Sequence, residues 1–303
     1  MTEPPSVSVI VPVYNAQSTL PALLAGLRSQ LPHARGETEL LIVDNGSTDA
    51  SRLLIEQSGL VNLIALEEAQ RGPAAARNRG LAVARGEIVA LLDADCAPSR
   101  GWLRAIVEPF SDPNVMLVAG GLASYPPQTG AQRFAARYGL NDAARAVNNS
   151  VLPFANTRNM AVRRSAAQAV GGWPAELTNG EDIEFSYLIR TRFGCPIVLQ
   201  ESALAFHRDR ESDEDLAHQA YNYGSGIASL YRRHPDQVAW SIGLRLHRRR
   251  RSTQRWLAAR LAQLGARVGR VHPEDAEFAA YLALWDKSFW RGFSDRWLTG
   301  ETA

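Results

Sequence analysis

The stretch that decides the fold is Glu87-Ile88-Val89-Ala90-Leu91-Leu92-Asp93-Ala94-Asp95, an apolar run that ends in two carboxylates. Its consecutive aliphatic residues predict a buried β-strand. Because unpaired charge is costly inside such a strand, Asp93 and Asp95 are expected at its carboxyl end, where a sheet edge opens to a crevice. In an extended chain alternate side chains point the same way, so both carboxylates would face one site. Such oxygen ligands suit Mg²⁺ or Mn²⁺ carrying a diphosphate, although a solvated acidic turn fits these residues alone equally well.

Three other apolar runs precede this strand and predict further strands, at 7–13, 40–43 and 62–66. The segments between the strands carry helix signals. Strands that alternate with helices at this spacing predict parallel βαβ units, in a sheet covered by helices on both faces. We assign residues 6 to about 120 to this arrangement.

The helix signals are capping residues and leucine periodicity. Ser18 is expected to cap a helix whose leucines follow the helical period as far as Leu31, and Asp49 is expected to cap the next helix. Gly72-Pro73 predicts the start of a third helix, and Gly86 its end. Beyond residue 120 the pattern predicts short strands at 161–162 and 197–199, helices near 131–146, 164–170 and 181–193, and helices alone from about residue 212.

The composition is that of a folded globular protein, with 46% hydrophobic and 21% charged residues. No basic and apolar leader precedes Ser6, and the apolar runs are too short to cross a bilayer, so a cytoplasmic location is expected. The two cysteines, Cys96 and Cys195, exclude a disulfide framework and a thiolate metal cluster. Cys96 is interpreted as a small buried side chain.

Three loops at the carboxyl ends of predicted strands carry polar residues: Pro12-Val13-Tyr14-Asn15, Asp44-Asn45-Gly46-Ser47 and Asp93-Ala94-Asp95. In an open parallel sheet these ends meet at one crevice, where ligands bind. Tyr14 offers an aromatic face to a planar base, and Asp44 accepts hydrogen bonds from a base or a ribose. An ordinary half-buried tyrosine and a turn-initiating aspartate are equally consistent with these two residues taken singly.

The stretch Gln70-Arg71-Gly72-Pro73-Ala74-Ala75-Ala76-Arg77-Asn78-Arg79-Gly80 predicts a helix that begins with small residues only. Small side chains permit close approach of a ligand, and the first N–H groups of a helix bind phosphate. The arginines, Arg77 among them, are able to add charge-assisted contacts. For each arginine alone, a solvated position on a packed helix is the more common outcome.

Taken together, these residues resemble a family 2 glycosyltransferase with the GT-A fold. The resemblance extends from Ser6 to about His207, and its specificity comes from the order and spacing of the motifs. The matching strings are V-S-V-I-V-P-V-Y-N-A, L-I-V-D-N-G-S-T-D, G-P-A-A-A-R-N-R-G, L-L-D-A-D, Asn159-Met160-Ala161-Val162-Arg163-Arg164, Gly171-Gly172-Trp173 and Gly180-Glu181-Asp182.

The resemblance implies an α/β fold of Rossmann-like type, the fold of nucleotide-diphospho-sugar transferases, with a mostly parallel sheet flanked by helices. Residues 1–211 would form the GT-A catalytic domain, with a nucleotide-binding half at about 6–120 and an acceptor half at about 121–211. Residues 212–303 would form a helical C-terminal extension. The implied reaction moves a sugar from a nucleotide diphosphate, UDP being favoured, to an acceptor hydroxyl with inversion.

The resemblance also implies roles for the motif residues. Asp93 would face the nucleotide and Asp95 would bind Mg²⁺ or Mn²⁺, with Asp93 close to the same ion. Asp182 would be the general base, and Glu181 would orient the site, although a helix N-terminus favours acids for its dipole alone. Base binding would fall to Tyr14 and Asp44, and the remaining donor-binding positions are Pro12, Asn15, Asn45, Gly72, Arg77 and Ala94.

His207 is a further candidate metal ligand, since several relatives use a histidine on a short strand after the acidic helix. Here Ala203, Ala205 and His207 alternate as strand residues of one face would. A structural histidine is the competing interpretation. Trp173 would either line the sugar or acceptor pocket or pack after two glycines.

The segment 237–273 contains no acidic residue, and it lies outside the resemblance. It carries nine arginines: Arg245, Arg248, Arg249, Arg250, Arg251, Arg255, Arg260, Arg267 and Arg270. Arginines beside tryptophans and leucines at 245–255 would rest on an anionic membrane at roughly 1 kcal/mol per basic residue. A solvated helix face or an oligomer contact fits equally well. Nucleic-acid binding is not expected, because no readout motif is present.

Other functions are less consistent with the sequence. A sugar-nucleotide nucleotidyltransferase needs a glycine-rich basic loop after the first strand, where this chain has Pro12-Val13-Tyr14-Asn15. A dehydrogenase needs G-x-G-x-x-G after a strand, which is missing here. A catalytically inactive homologue that binds the nucleotide sugar remains an alternative, although Asp93, Asp95 and Asp182 are all present. The acceptor, a carbohydrate or a lipid-linked sugar, is not specified by any motif.

Overall fold

The computed structural model describes residues 5–31, 36–149, 151–236 and 242–299, and within 242–252 it describes the backbone alone. The chain divides into two compact units. The first contains Met1–Tyr125, Asn141–Glu176 and Glu181–Arg208, and the second contains Pro126–Leu140, Leu177–Gly180 and Asp209–Ala303. The boundary expected at residue 211 between catalytic domain and extension stays a prediction.

The first unit is an eight-stranded sheet with helices on both faces, so the predicted α/β class is confirmed. The strand order is β3-β2-β1-β4-β7-β6-β8-β5. The strands are β1 (Val7–Val13), β2 (Thr38–Asp44), β3 (Leu63–Glu67), β4 (Ile88–Leu92), β5 (Cys96–Pro98), β6 (Leu117–Ser124), β7 (Asn159–Arg163) and β8 (Ile197–His207).

The first four strands in this order are parallel, as the alternation of strands and helices predicted. Strand β7 runs antiparallel to both of its neighbours, while β6 and β8 are parallel to each other. Pro12 lies beyond Ile10, the last residue of β1 that pairs with β4. The ladder donor that proline lacks is therefore not needed on that side of the strand.

The helices of the first unit are α1 (Leu20–Gln30), α2 (Ser51–Glu56), α3 (Pro73–Val83), α4 (Trp102–Val107), α6 (Ala143–Val147), α7 (Arg164–Ala169) and α8 (Glu181–Phe193). The second unit contains α5 (Gly130–Tyr138), α9 (Asp213–Arg233), α10 (Ile242–Arg267) and α11 (Pro273–Thr299). Among the described helices, none combines the length and apolar content that crossing a bilayer requires.

Alternation along β1 divides the core of the first unit into two layers. Val9 and Val11 pack with α1 and α4 on one face of the sheet, and Ile10 packs with α3 on the other. Gly80 of α3 lies so close to Ile10 that a Cβ there would meet the isoleucine methyl at 2.6 Å. This close approach packs α3 directly onto the sheet.

Several helix boundaries differ from the sequence expectations. Ser18 does not cap α1, because the helix begins after Thr19 and the Ala16 carbonyl accepts the N–H groups of Thr19 and Leu20. The helix expected over 131–146 is two helices, since Gly139 adopts a left-handed conformation between them.

Two other capping predictions also need correction. Asp49 precedes the cap position of α2, which is Ala50, but its Oδ1 accepts the N–H of Ser51 and so still stabilises the helix start. Gly86 follows α3 without ending it. Its role is close packing, because a Cβ there would lie 2.4 Å from the nitrogen of Ser8.

The second unit has its own aromatic core. Phe134 of α5 stacks on Tyr138 with a centroid distance of 5.1 Å and packs against Trp285 of α11. Helices α9 and α11 cross at two glycines, where a Cβ on Gly224 would lie 1.9 Å from the Phe289 carbonyl oxygen and one on Gly292 would lie 2.0 Å from that of Tyr221.

The α9–α11 crossing predicts that Gly224→Ala destabilises the protein. Alanine is favoured over glycine inside a helix by up to about 1 kcal/mol. Overpacking costs about 1–3 kcal/mol or more, and the backbone carbonyl of Phe289 has no rotamer that avoids the new methyl group. We therefore expect a net loss in the free energy of unfolding, measured by denaturant titration. Ser225→Ala on the same helix is the control, and an equal loss in both variants would contradict this account.

Candidate active site at the carboxyl edge of the sheet

The carboxyl ends of three neighbouring strands meet at one edge of the sheet, as predicted. Val13 pairs with Asp44, and β4 on the other side of β1 ends at Leu92. Leu92 pairs with Asn159, the first residue of antiparallel β7. Strand β8 also ends at this edge, at His207. Residues from distant parts of the chain are therefore brought together here.

The acidic pair lies in a turn, so the strand-alternation argument for it is wrong. Strand β4 ends at Leu92, and the N–H of Cys96 donates to the carbonyl of Asp93 at 3.0 Å. Cys96 itself is buried, as expected, and burial raises the pKa of its thiol well above the usual value. The two carboxylates have different partners, Arg77 for Asp93 and His207 for Asp95.

Asp93 is bound by a buried arginine, Arg77 of α3. The Arg77 side chain is 2% exposed, and its Nη2 donates to Asp93 Oδ1 at 2.8 Å. Its Nη1 donates to Oε1 of Glu181, the first residue of α8, at 2.9 Å. Burial alone would lower the pKa of Arg77, but the two carboxylates raise it above the ordinary value, so the guanidinium stays charged. One cation thus ties the acidic turn to the start of α8.

Asp182 follows Glu181 at the start of α8 and is half-buried. Burial and the charge of Glu181 raise the pKa of Asp182 to about 7, and the charge of Arg77 partly opposes them. The N–H of Ile183 donates to Asp182 Oδ1 at 2.9 Å. A carboxyl group with a pKa near neutrality accepts and releases protons at physiological pH, which is what a general base requires.

Asp95 faces His207, with 3.5 Å between Oδ2 and Nε2. The contact is set by the sheet, because Cys96 pairs with His207 where β5 meets β8. Ala203, Ala205 and His207 are all buried, as their alternation predicted. Two donors at this separation can both lie about 2.1 Å from one divalent cation.

A carboxylate oxygen suits Mn²⁺ or Mg²⁺, and an imidazole nitrogen suits a transition metal such as Mn²⁺, so the residues fit a divalent ion of this kind. In the described part of the chain, no group of three or more His, Cys, Asp or Glu side chains could hold a metal. An ion held by Asp95 and His207 would therefore take its remaining ligands from outside this set, for which a diphosphate is chemically suited.

Arg158 was not recognised from the sequence. It is buried beside the acidic turn, with Nη1 3.5 Å from His207 Nε2. The same Nη1 donates to Asn141 Oδ1 at 2.8 Å, and Nε donates to Asn156 Oδ1 at 2.9 Å. Two asparagines thus hold a positive charge beside the histidine. No local pattern marks this arginine, apart from its place next to the Asn159 string.

Asn159 fixes the strands around the site. Its Oδ1 accepts from Trp102 Nε1 at 2.8 Å, and its Nδ2 donates to the carbonyls of Gly121 and Ala203, each at 2.7 Å. These bonds join α4, β6 and β8 to the first residue of β7. The asparagine of this motif therefore has a positioning role.

Tyr14 and Asp44 lie at the carboxyl ends of β1 and β2, where nucleotide binding was predicted. The Tyr14 ring is 54% exposed, and the Arg71 guanidinium lies 4.6 Å from its centroid. Asp44 is 8% exposed, and its Oδ1 accepts the N–H of Ser47 at 3.1 Å. The exposed ring is accessible to a planar base, whereas the carboxylate also closes its own turn.

Two asparagines assigned to donor binding hold loops in place. Asn45 Nδ2 donates to the carbonyls of Glu68 and Gln70, and its Oδ1 accepts the N–H of Gly72 at 2.8 Å. Asn15 Oδ1 accepts the N–H of Thr48 at 2.8 Å. These amides shape the surface on which a donor would lie.

The remaining predicted positions are mostly buried. Pro12 and Ala94 are buried at the sheet edge, and Gly72, with φ of +121°, turns the chain into α3. Trp173 is 1% exposed and stacks on Phe185 at 4.4 Å, so of its two interpretations the structure supports packing.

Curated relatives of this chain are glycosyltransferases. It is 33% identical over 232 residues to the glycosyltransferase AglE of Haloferax volcanii, a match that covers 75% of this chain and 74% of AglE. It is 31% identical over 244 residues to the pre-mycofactocin glycosyltransferase of Mycobacterium tuberculosis, covering 77% of this chain and 49% of that protein. The chain thus spans about half the length of the second relative.

Solved structures share the fold. The mannosyltransferase PcManGT from Pyrobaculum calidifontis, in complex with GDP-Man and Mn²⁺, matches with a TM-score of 0.63 at 21% identity, over 95% of this chain and 88% of that one. Glucosyl-3-phosphoglycerate synthase from Mycobacterium tuberculosis, with Mn²⁺, UDP and glucosyl-3-phosphoglycerate, matches with a TM-score of 0.54 at 22% identity, over 76% of this chain and 80% of that one. At these identities the likeness establishes the fold.

The family assignment rests on sequence. The model described as "Glycosyl transferase family 2" matches residues 8–171, more than half of the chain. The matched region includes β1, the Asn45 turn, the start of α3 and the acidic turn. With the AglE match, this shows that the chain belongs to the family 2 glycosyltransferases.

Proposed function

We propose that this glycosyltransferase transfers a sugar from a nucleotide diphosphate to an acceptor hydroxyl with inversion, using a divalent metal and Asp182 as the general base. The observation that carries the proposal is the buried bridge of Arg77 between Asp93 and Glu181. It holds the start of α8, and with it a carboxyl group of pKa about 7, against the sheet edge on which the donor would lie.

Tyr14 and Asp44 bind the nucleoside in this proposal, the ring by stacking and the carboxylate by accepting hydrogen bonds. UDP is the nucleotide we favour. One solved relative was crystallised with UDP and another with GDP-Man, so both nucleotides belong in the test. The acceptor is a carbohydrate or lipid-linked sugar hydroxyl.

Asp95 and His207 would hold the metal, with Asp93 beside them. When bound there, a divalent cation would supply stabilisation of the negative charge on the departing diphosphate. The Arg158 guanidinium lies beside this pair, with Nη1 3.5 Å from His207 Nε2.

Asp182 takes the proton of the acceptor hydroxyl as the acceptor oxygen forms its bond to the anomeric carbon. The bond from that carbon to the diphosphate oxygen breaks, and the electron pair leaves with the diphosphate. A single displacement of this kind inverts the anomeric configuration. Arg77 and Glu181 do not move a proton in this step; they position Asp182 and Asp93.

We expect Asp95→Ala to lose metal-dependent donor binding, because it removes the carboxylate that faces His207. The experiment is a panel of UDP- and GDP-sugars, with binding measured by calorimetry and slow donor hydrolysis measured with and without Mn²⁺. Asp112→Ala is the control, because Asp112 lies near the opposite edge of the sheet. Its carbonyl accepts from Arg163, which pairs with Ile88 at the start of β4. Unchanged Mn²⁺-dependent binding in Asp95→Ala would remove the metal assignment. Tight donor binding without turnover on any acceptor would support an inactive homologue instead.

A further inference from the structure

An exposed apolar stripe is formed by Leu257, Leu261 and Leu264 of helix α10 and by Val268, which follows the last residue of that helix. Their exposed fractions are 50%, 68%, 57% and 69%. Spacings of four and three residues place the three leucines within about 60° of the helix circumference. Long aliphatic side chains aligned in this way on a surface mark an interaction site more often than isolated ones do.

The opposite face of α10 is already used within the second unit. Ala259 is buried, and Arg255 forms an ion pair with Asp286 of α11. Helix α10 is therefore fixed to α11 on one side, and the apolar stripe is the side that remains exposed. The stripe is not explained by the packing of this helix.

Exposed arginines flank the stripe. Arg260 and Arg267 lie next to it on the same side as Trp256, and the Arg260 guanidinium is 5.3 Å from the Trp256 ring centroid. The surrounding segment 237–273 contains nine arginines and no acidic residue. The side chains of the 245–251 arginines, and Trp240, lie outside the described residues, so the stripe and its flanks carry the argument.

We propose that α10 lies on an anionic lipid bilayer, with the apolar stripe inserted at the level of the headgroups and the arginines on the lipid phosphates. An apolar line bordered by arginine and tryptophan is the pattern of an interfacial helix. A second copy of the chain would bring the same positive segment against itself, which like-charge repulsion opposes. Nucleic acid would engage the arginines but leave the leucines in water.

The test is flotation of the whole protein with vesicles of phosphatidylcholine alone and of phosphatidylcholine containing about one third phosphatidylglycerol. We expect salt-sensitive flotation with the anionic vesicles only. Leu261→Ser with Leu264→Ser is expected to lower the partition coefficient at least about tenfold, because two aliphatic side chains lose their apolar environment. Both substituted positions are exposed, so the fold should be retained, and circular dichroism checks that it is.

The matched control is Ala258→Ser with Gln263→Ser, at exposed positions of α10 outside the stripe. It is expected to float like the parent. Equal flotation of parent and stripe variant would overturn the proposal. Dimerisation that depends on the stripe, without vesicle binding, would also overturn it. Binding to a short DNA duplex without vesicle binding would have the same consequence. None of these readouts depends on sugar transfer.

Discussion

Asp182→Asn is expected to retain nucleotide-sugar and Mn²⁺ binding and to lose sugar transfer. The amide has the size of the carboxyl group but cannot accept the proton of the acceptor hydroxyl. Removal of a positioned base typically costs about 10²–10⁴-fold in rate. The measurements are donor binding by calorimetry and kcat for transfer, after the panel has identified a donor and an acceptor. Transfer at the parental rate would show that another group is the base.

The pH dependence provides an independent check of this assignment. Because the pKa of Asp182 is about 7, the parental kcat/KM should rise with pH and level off above neutrality. The base is ionised in only a small fraction of molecules at pH 5. The residual activity of Asp182→Asn should lack this acidic limb. A variant with an unchanged limb would assign the titration to a different residue.

Measurements of the free energy of unfolding distinguish loss of the general base in Asp182→Asn from loss of the folded structure. The pKa of Asp182 is higher in the folded protein than in the unfolded chain, so the folded state binds more protons between about pH 4 and 7. The contribution of Asp182 to the free energy of unfolding therefore falls as pH rises through this window. Asparagine does not titrate, so Asp182→Asn does not lose stability in this way. We expect the stability of Asp182→Asn relative to the parent to increase from pH 4 to 7, by an amount on the order of a few kcal/mol.

The parts of the site that sequence predicts are those with local patterns. Consecutive aliphatic residues predict β1 and β4, and the βαβ rule places their carboxyl ends at one edge. Tyr14, Asp44 and the acidic turn are found there for that reason. The strand position of His207 was implied by the family resemblance, and the alternation of Ala203, Ala205 and His207, all of them buried, agrees with it.

The parts that sequence does not predict depend on contacts between distant residues. Arg77 and Glu181 are 104 positions apart, and no spacing rule indicates that one arginine joins two acidic motifs. The turn that carries Asp95 was not predicted, because it depends on a backbone hydrogen bond from Cys96 to Asp93 after β4 ends. Arg158 requires the asparagines at 141 and 156 to hold it, and these have no periodic relation to one another.

Arg77→Met is expected to destabilise the protein by about 3–5 kcal/mol and to abolish efficient transfer. Methionine fills much of the same volume but leaves Asp93 and Glu181 without their shared cation. Removal of one partner from a buried ion pair is costly, because the remaining charge stays poorly solvated. The start of α8 also loses its link to the acidic turn. Denaturant unfolding and donor-binding calorimetry measure the two consequences.

Two further variants separate charge from geometry. Arg77→Lys keeps one positive charge but not the planar fork that reaches both carboxylates, so it should fold better than Arg77→Met and still transfer poorly. Arg77→Met with Glu181→Gln removes a carboxylate together with the cation, and should recover part of the lost stability but none of the activity. Recovery of transfer in this double variant would show that the bridge serves folding alone. Failure to recover stability would show that packing of the Arg77 stem, and not its charge, dominates.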